Sequence, residues 1–250
     1  MHYWLTENVL TLCRGLHSVP LVKSSSKSVA LAGVFAALHA TLYIASFDLW
    51  RSWSIYLMPL EGIILGPWVG LSTAFIGSIV GRMIKPIDLW MFGIIAEPLG
   101  AFASGLLAKK QWGLLMAIYG VMLTAYFVHP LGRGLPLWTI MDILLAFILI
   151  YPATKAFKSL SEADVAHLPL AMVLISYVGI ATDALTRVFL FVPLGFYAFL
   201  MPLEAVYPTF VAGAIDSFVE DVLVVIVSSL LGTSLLLVLR KIPGFKYPLS

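Results

Sequence analysis

The chain has 250 residues, of which 61% are hydrophobic and 11% are charged, and its formal net charge is +2. Soluble domains carry roughly 25% charged residues, so this composition excludes an ordinary soluble protein and predicts an integral membrane protein. We expect no nucleic-acid partner.

The N-terminal segment, residues 1–27, lacks the basic start, short apolar core and small-residue cleavage site of a signal peptide. Leu5, Val9, Leu12 and Leu16 recur there at helical spacing beside polar residues. This pattern predicts an amphipathic helix lying on the cytoplasmic membrane surface. A helix packed on the first span explains the pattern equally well.

Eight apolar runs follow. We predict each to be a helix, because a membrane span must satisfy its backbone hydrogen bonds internally. The runs cover residues 29–47, 56–65, 68–84, 88–108, 112–128, 136–157, 168–192 and 215–239. The sequence therefore predicts an all-α integral membrane protein with one transmembrane domain, residues 28–250, of about eight hydrophobic helices.

The stretch "YLMPLEGIILGPWVGLSTAFIGSIVG" forms either one kinked span or two helices separated at Gly66-Pro67, since proline removes a hydrogen-bond donor. With two helices and a cytoplasmic N-terminus, ten basic residues lie inside and four outside; with one helix, six lie inside and eight outside. The positive-inside rule favours two helices and cytoplasmic termini. The second segment is then too short to cross alone, and we expect neighbouring helices to shelter it.

In this topology, ten of the thirteen carboxylates fall near the midplane or on the outer side. An ionisable side chain at the bilayer centre costs at least about 2.5–3.5 kcal/mol. The distribution therefore predicts a polar cavity that opens outward. Solvated charges at helix ends are the alternative, and we favour it for Asp48, Asp88, Glu204 and Asp216.

Several of these charges have informative spacings. Asp183 and Arg187 are four residues apart, so we predict an ion pair on one helical face. Asp216 and Glu220 repeat that spacing without a basic residue in their own helix, so a positive group is expected near them. Glu97 lies in the middle of a predicted span beside a proline.

Motifs of enzymes and metal sites are weak or absent. The chain has no paired histidines at ligand spacing, no cysteine cluster and no Walker-type loop. We therefore expect no catalytic activity, no metal and no cofactor. The isolated histidines His39 and His129 are interpreted as packing residues rather than ligands.

Small residues follow one side of the first span. Ala32, Ala36 and Ala40 form a row at i, i+4 and i+8, and Gly33 with Ala37 forms a second row beside it. Another helix can approach such a surface closely, either from within the protein or from a partner.

The order "ALAGVFAALHA", an outer loop, and the glycine–proline turn "GPWVG" resembles the first three helices of energy-coupling factor transporter S components, the substrate-binding subunits of vitamin importers. The resemblance is good over residues 29–108 and partial over residues 168–240. It implies that Ala32, Ala36 and Ala40 dock on a transmembrane coupling subunit driven by two cytoplasmic ATPases. The family core has six helices, so residues 112–157 are expected to form an additional hairpin.

The resemblance implies a plasma-membrane subunit that captures a small water-soluble vitamin or related micronutrient in its outer half, under the loop after helix 1. From the excess of outer carboxylates we predict a cationic or nitrogen-rich ligand, with a zwitterion left open. The candidate substrate-binding residues are Trp53, Glu97, Asp183, Arg187, Tyr207, Asp216 and Glu220.

Two other classes remain open. One is a stand-alone transporter coupled to protons or ions, with Glu97, Asp183 and Glu220 as the path. The other is an intramembrane enzyme that uses the outward carboxylates as acid and base.

Overall fold

The computed structural model describes residues 26–47, 52–86, 89–160, 167–241 and 248. Most of these residues are helical. Eight helices have eight residues or more: α1 Ser26–Ala45, α2 Met58–Leu65, α3 Pro67–Ile84, α4 Trp90–Ala108, α5 Trp112–Val128, α6 Met141–Leu160, α7 Leu168–Phe191 and α8 Leu203–Leu239. The predicted amphipathic segment, except its last two residues, and positions 48–51 of the first outer loop lie outside the described residues.

Six of these helices are long and apolar enough to cross a membrane, namely α1, α3, α4, α6, α7 and α8. The part of the chain that the structure describes is therefore helical without strands, as predicted, and its six long apolar helices fit a multi-pass membrane protein. Each of the eight predicted runs is a helix, but α2 and α5 are shorter than the other six. Among the described residues, the helices of eight residues or more thus comprise six long ones and two shorter ones.

Gly66 separates α2 from α3, as the basic-residue count predicted. Its φ of 88° and ψ of 171° lie in a region that glycine adopts readily and other residues avoid. Pro67 then begins α3, where its missing N–H has no helical partner to lose. All eight residues of α2 are buried, which confirms that neighbouring helices shelter this segment.

Glycines bring α2 into close contact with α4. A Cβ atom built on Gly62 would overlap the carbonyl oxygen of Ala101, and one on Gly105 would lie 2.5 Å from the backbone nitrogen of Pro67, which directly follows α2 and begins α3. Only a residue without a side chain allows backbones this close. These contacts hold the short helix inside the bundle.

Contacts across the helices establish their relative directions. Gly77 and Gly81 of α3 face His39 and Tyr43 of α1, so these two helices run parallel. The helices α4 and α7 run antiparallel, because Gly179 faces Ser104 while Arg187 approaches Glu97. The helices α7 and α8 are also antiparallel, because Gly232 faces Met172 while Glu220 interacts with Arg187. Residues 45, 84, 90, 191 and 203 consequently lie at one end of the bundle, which we call the polar end.

The last helix begins earlier than the sequence predicted. The apolar run suggested a start at residue 215, whereas α8 starts at Leu203. Its 37 residues span about 55 Å at 1.5 Å per residue, well beyond a hydrocarbon core about 30 Å thick. The first three turns are less apolar than the rest, and hydropathy alone therefore missed them.

Candidate functional site

Glu97 is the centre of a buried hydrogen-bond network at the polar end. It lies on α4 beside Pro98 and is 1% exposed. Its carboxylate accepts hydrogen bonds from Ser78 Oγ at 2.8 Å and from Arg82 Nη1 at 3.3 Å, and Arg82 Nη2 also donates to it. Ser54 Oγ donates at 3.4 Å. These donors compensate the polarity of the carboxylate within the protein interior.

Arg82, the principal cation beside Glu97, is itself buried. The sequence assigned it to the outer side with the loop charges, but it lies inside α3 and is 6% exposed. Its guanidinium carbon stacks over the ring of Tyr43 at 4.6 Å from the centroid. A Cβ atom on Gly93 would overlap the guanidinium, so glycine at this position makes room for the arginine.

His39 connects two carboxylates. Nδ1 lies 3.0 Å from Oε1 of Glu61, and Nε2 lies 3.0 Å from Oε2 of Glu97 and 3.1 Å from Oγ of Ser78. With Glu97 acting as an acceptor, as it does toward Ser78 and Arg82, two proton arrangements satisfy this geometry. Either a doubly protonated imidazole donates to both carboxylates, or a protonated Glu61 donates to Nδ1 while Nε2–H donates to Glu97.

In both arrangements the pair of His39 and Glu61 carries one proton more than a neutral imidazole and a carboxylate. We call His39, Glu61, Arg82, Glu97, Asp183 and Arg187 the ionic cluster. Its two arginines and three carboxylates have a formal charge of −1, which the additional proton brings to zero. Buried charges cost least when opposite charges lie beside them, as they do within this cluster.

Asp183 and Arg187 form the ion pair that their spacing predicted. Arg187 Nε donates to Asp183 Oδ2 at 2.7 Å, and Nη2 donates to Oδ1 at 3.2 Å. Nη2 also lies 3.8 Å from Oε1 of Glu97, which joins the pair to the rest of the cluster. Glu220, buried on α8, interacts electrostatically with Arg187, so the cation expected near Glu220 is provided by α7.

A cavity of about 270 Å³ adjoins the cluster at the polar end. It lies among α4, α6, α7 and α8, with three aromatic side chains and two charged ones on its wall. These are Phe92, Phe191, Phe210, Asp142 and Arg187. Because each water in the liquid occupies about 30 Å³, the volume corresponds to about nine waters and suits a small molecule.

The additional hairpin contributes directly to this cavity. Asp142 and Ile143 at the start of α6, with Thr139 just before it, line the cavity wall. The segment that the resemblance treats as an addition to a six-helix core is therefore part of the candidate binding region.

The structure brings four of the seven predicted substrate-binding residues together: Glu97, Asp183, Arg187 and Glu220. Of these, Arg187 lines the cavity, while Glu97 and Asp183 face other charges behind it. The remaining three lie elsewhere. Trp53 packs edge-on against Phe47, Tyr207 is 53% exposed, and Asp216 is exposed, as expected for a solvated charge.

Four residues of the site were missing from the sequence-based set. They are His39, Glu61, Ser78 and Arg82. His39 was expected to be a buried packing residue; it is buried, but it also bridges two acids. Each of the four is a polar residue in an apolar run, which was the available signal, but their sequence spacing gives no hint of a shared partner.

The alanine row predicted for partner docking is turned largely inward. Ala40 is buried and Ala36 is half-buried, and the carbonyl oxygen of Ala36 lies 3.0 Å from the Cβ position of Gly77 on α3. Ala32 packs beside the main hydrophobic core. The burial of Ala36 and Ala40 favours internal packing, the alternative left open by the sequence, over partner docking. Gly33 and Ala37 of the second row are exposed.

No family model, no curated protein and no solved structure matches this chain.

Proposed function

We propose that the protein is the substrate-binding membrane subunit of an importer, which captures a small water-soluble micronutrient in the cavity at the polar end. The observation that carries the proposal is the cavity itself, which combines an aromatic wall with Arg187 and Asp142. Apolar walls with a few polar groups that orient the ligand are typical of small-molecule sites. A membrane protein with such a site is well suited to bind a solute before transfer.

The position of the charges supports the same proposal. The ionic cluster and the cavity both lie at the polar end, which the basic-residue count assigns to the outside. In this arrangement the protein lies in the plasma membrane with both termini in the cytoplasm, and the cavity accepts its ligand from outside the cell.

The resemblance to S components supplies the proposed energy source. A transmembrane coupling subunit and two cytoplasmic ATPases drive uptake in this proposal, and the chain itself hydrolyses no ATP. Because the first alanine row faces inward, the exposed row containing Gly33 and Ala37 is the surface on α1 that we propose for docking.

Mass spectrometry of small molecules retained by the purified protein tests the binding function. Ala214, which lines the cavity, and Ala212, which is exposed on the same helix, provide matched variants. We expect Ala214→Phe to lose the retained ligand because the new ring occupies the cavity, while Ala212→Phe keeps it. Equal retention by both variants would place the ligand elsewhere.

A stand-alone proton-coupled transporter is a second candidate, and the contacts of His39 favour it. The imidazole connects Glu61 to Glu97, and Glu97 contacts Arg187 at the cavity wall. A ligand at Arg187 thereby changes the charges around a titratable pair, which is the coupling that proton-driven transport requires.

Uptake assays in cells distinguish the two candidates. If removal of ATPase partners abolishes uptake, the importer subunit is supported. If uptake survives that removal but collapses when an uncoupler dissipates the proton gradient, the proton-coupled transporter is supported.

A further inference from the structure

Arg187 stands between the ionic cluster and the cavity. Two of its nitrogens, Nε and Nη2, donate to Asp183. The third, Nη1, donates no hydrogen bond to any residue that the structure describes. The Arg187 side chain is 22% exposed, against 0% for Asp183 and 1% for Glu97, so its accessible part belongs to the cavity wall.

The contacts with Asp183 orient the Arg187 guanidinium so that it can bind a hydrogen-bond acceptor of a ligand. Asp183 contacts two nitrogens and thereby fixes the plane of the group, and the remaining N–H donors stay available to a ligand. A positioned arginine binds carboxylates and phosphates more strongly than neutral acceptors, because the hydrogen bonds are assisted by charge. Arg187 is the cation among the residues that line the cavity.

The apolar part of the cavity wall indicates which chemical group fills the space beside the ligand's charged end. Phe92, Phe191 and Phe210 surround the space with rings whose centroids are 6.3–6.4 Å apart for the neighbouring pairs. An aromatic or other flat apolar group packs against such a wall. Thr139, Thr209 and Ser217 add hydroxyl groups.

We propose that the cavity selects a small organic acid with an aromatic or apolar body, whose carboxylate accepts hydrogen bonds from Arg187 Nη1. This inference rests on the proposed function, because it takes the cavity as the solute site. It differs from the cationic or nitrogen-rich ligand expected from the sequence, where a zwitterion was left open: Glu97 and Asp183, counted there as ligand contacts, face Arg187 and other members of the ionic cluster. Asp142 still allows an additional N–H donor on the ligand.

Three probes of nearly equal size test the charge preference: 3-phenylpropionate, its neutral amide 3-phenylpropionamide, and the cation 3-phenylpropylamine. Their binding to the full-length protein in detergent is measured by isothermal titration calorimetry. We expect the carboxylate to bind on the order of ten- to hundredfold more tightly than the other two, the range typical of a hydrogen bond to a charged group.

Arg187→Gln should reduce this preference to within about threefold, because the amide offers no charge. This variant leaves Asp183 buried without its cation, so the double variant Asp183→Asn/Arg187→Gln, which is neutral and similar in size, is measured beside it. Arg133, exposed and bonded to backbone oxygens of Phe127 and Val128, provides the matched control: Arg133→Gln should keep the preference.

The outcomes separate this inference from the proposed function. Equal binding of the three probes, or a preference that survives in both Arg187 variants, overturns the inference while the cavity remains a binding site. Tighter binding of the amine also overturns it and supports a cationic ligand. If no probe binds, or if Ala214→Phe leaves probe binding unchanged, the assignment of this cavity as the solute site fails as well.

Discussion

Nδ1 of His39 lies 3.0 Å from Oε1 of Glu61, and this contact joins α1 to the buried helix α2. Both side chains are fully buried, in a low-dielectric region where such a contact is strong. Removal of His39 takes from Glu61 its contact on α1, whereas removal of Glu61 leaves His39 with its contact to Glu97; removal of both avoids leaving either partner of this contact behind.

A double-mutant cycle tests this coupling. We expect His39→Gln and Glu61→Gln each to lower thermal stability in detergent, and the double variant to lose less than the sum of the two. The interaction energy should be on the order of 0.5–3 kcal/mol. Additive effects would mean that the two residues contribute to stability independently of each other.

Glu97→Gln should be among the most destabilising conservative changes in the chain. The substitution keeps the shape of the side chain but removes the negative charge that Arg82 and His39 contact. Breaking a buried ion pair from one side costs about 3–5 kcal/mol. Glu204, exposed in the first turn of α8, provides the control. Glu204→Gln should leave the unfolding temperature nearly unchanged, and a similar loss in both variants would contradict the central role of Glu97.

Gly62→Ala should destabilise the protein through the contact between α2 and α4. The added methyl group meets the carbonyl oxygen of Ala101, so the helices must move apart. Gly113 near the start of α5 has no atom within 4 Å of its Cβ position. Gly113→Ala should therefore be neutral, or stabilising by up to about 1 kcal/mol. Thermal unfolding of the two variants is compared, and equal stabilities would disprove the close approach.

The two rows of small residues on α1 predict different effects. Ala36→Leu should lower the stability of the isolated protein, because Ala36 packs against α3 near Gly77. Ala37 is exposed, so Ala37→Leu should leave stability and ligand binding unchanged but reduce uptake in cells if a coupling subunit docks there. Uptake that is unaffected by Ala37→Leu would remove this face of α1 as the docking surface.

Cysteine labelling tests the orientation in the membrane. Residues 110 and 158 should be cytoplasmic, while 84 and 133 should be accessible from outside to an impermeant thiol reagent. Single cysteines are introduced after replacement of Cys13, the single cysteine in the chain. Labelling of residue 110 from outside would reverse the orientation and place the cavity on the cytoplasmic side.

The sequence by itself determined the eight helices and the break at Gly66-Pro67, apart from the first three turns of α8. A span in lipid must be apolar and must bond its own backbone, so the hydropathy of each run predicts its structure without reference to any neighbour. The boundary at Gly66-Pro67 is also predictable without reference to neighbouring helices, because it is caused by the backbone chemistry of two adjacent residues. The ion pair of Asp183 and Arg187 was also predictable, because a spacing of four on one helix brings the two side chains together.

Only the tertiary structure decided which helices meet and which face each one turns inward. His39, Glu61 and Glu97 lie on three different helices. Glu61 is 22 positions and Glu97 is 58 positions from His39 along the chain, so no local sequence pattern predicts that their side chains meet. The inward rotation of Ala36 depends on the glycines of α3, and the cavity depends on four helices that converge. The periodicity of a helix gives the relative positions of its own side chains, but its rotation within a bundle is set by packing against its partners.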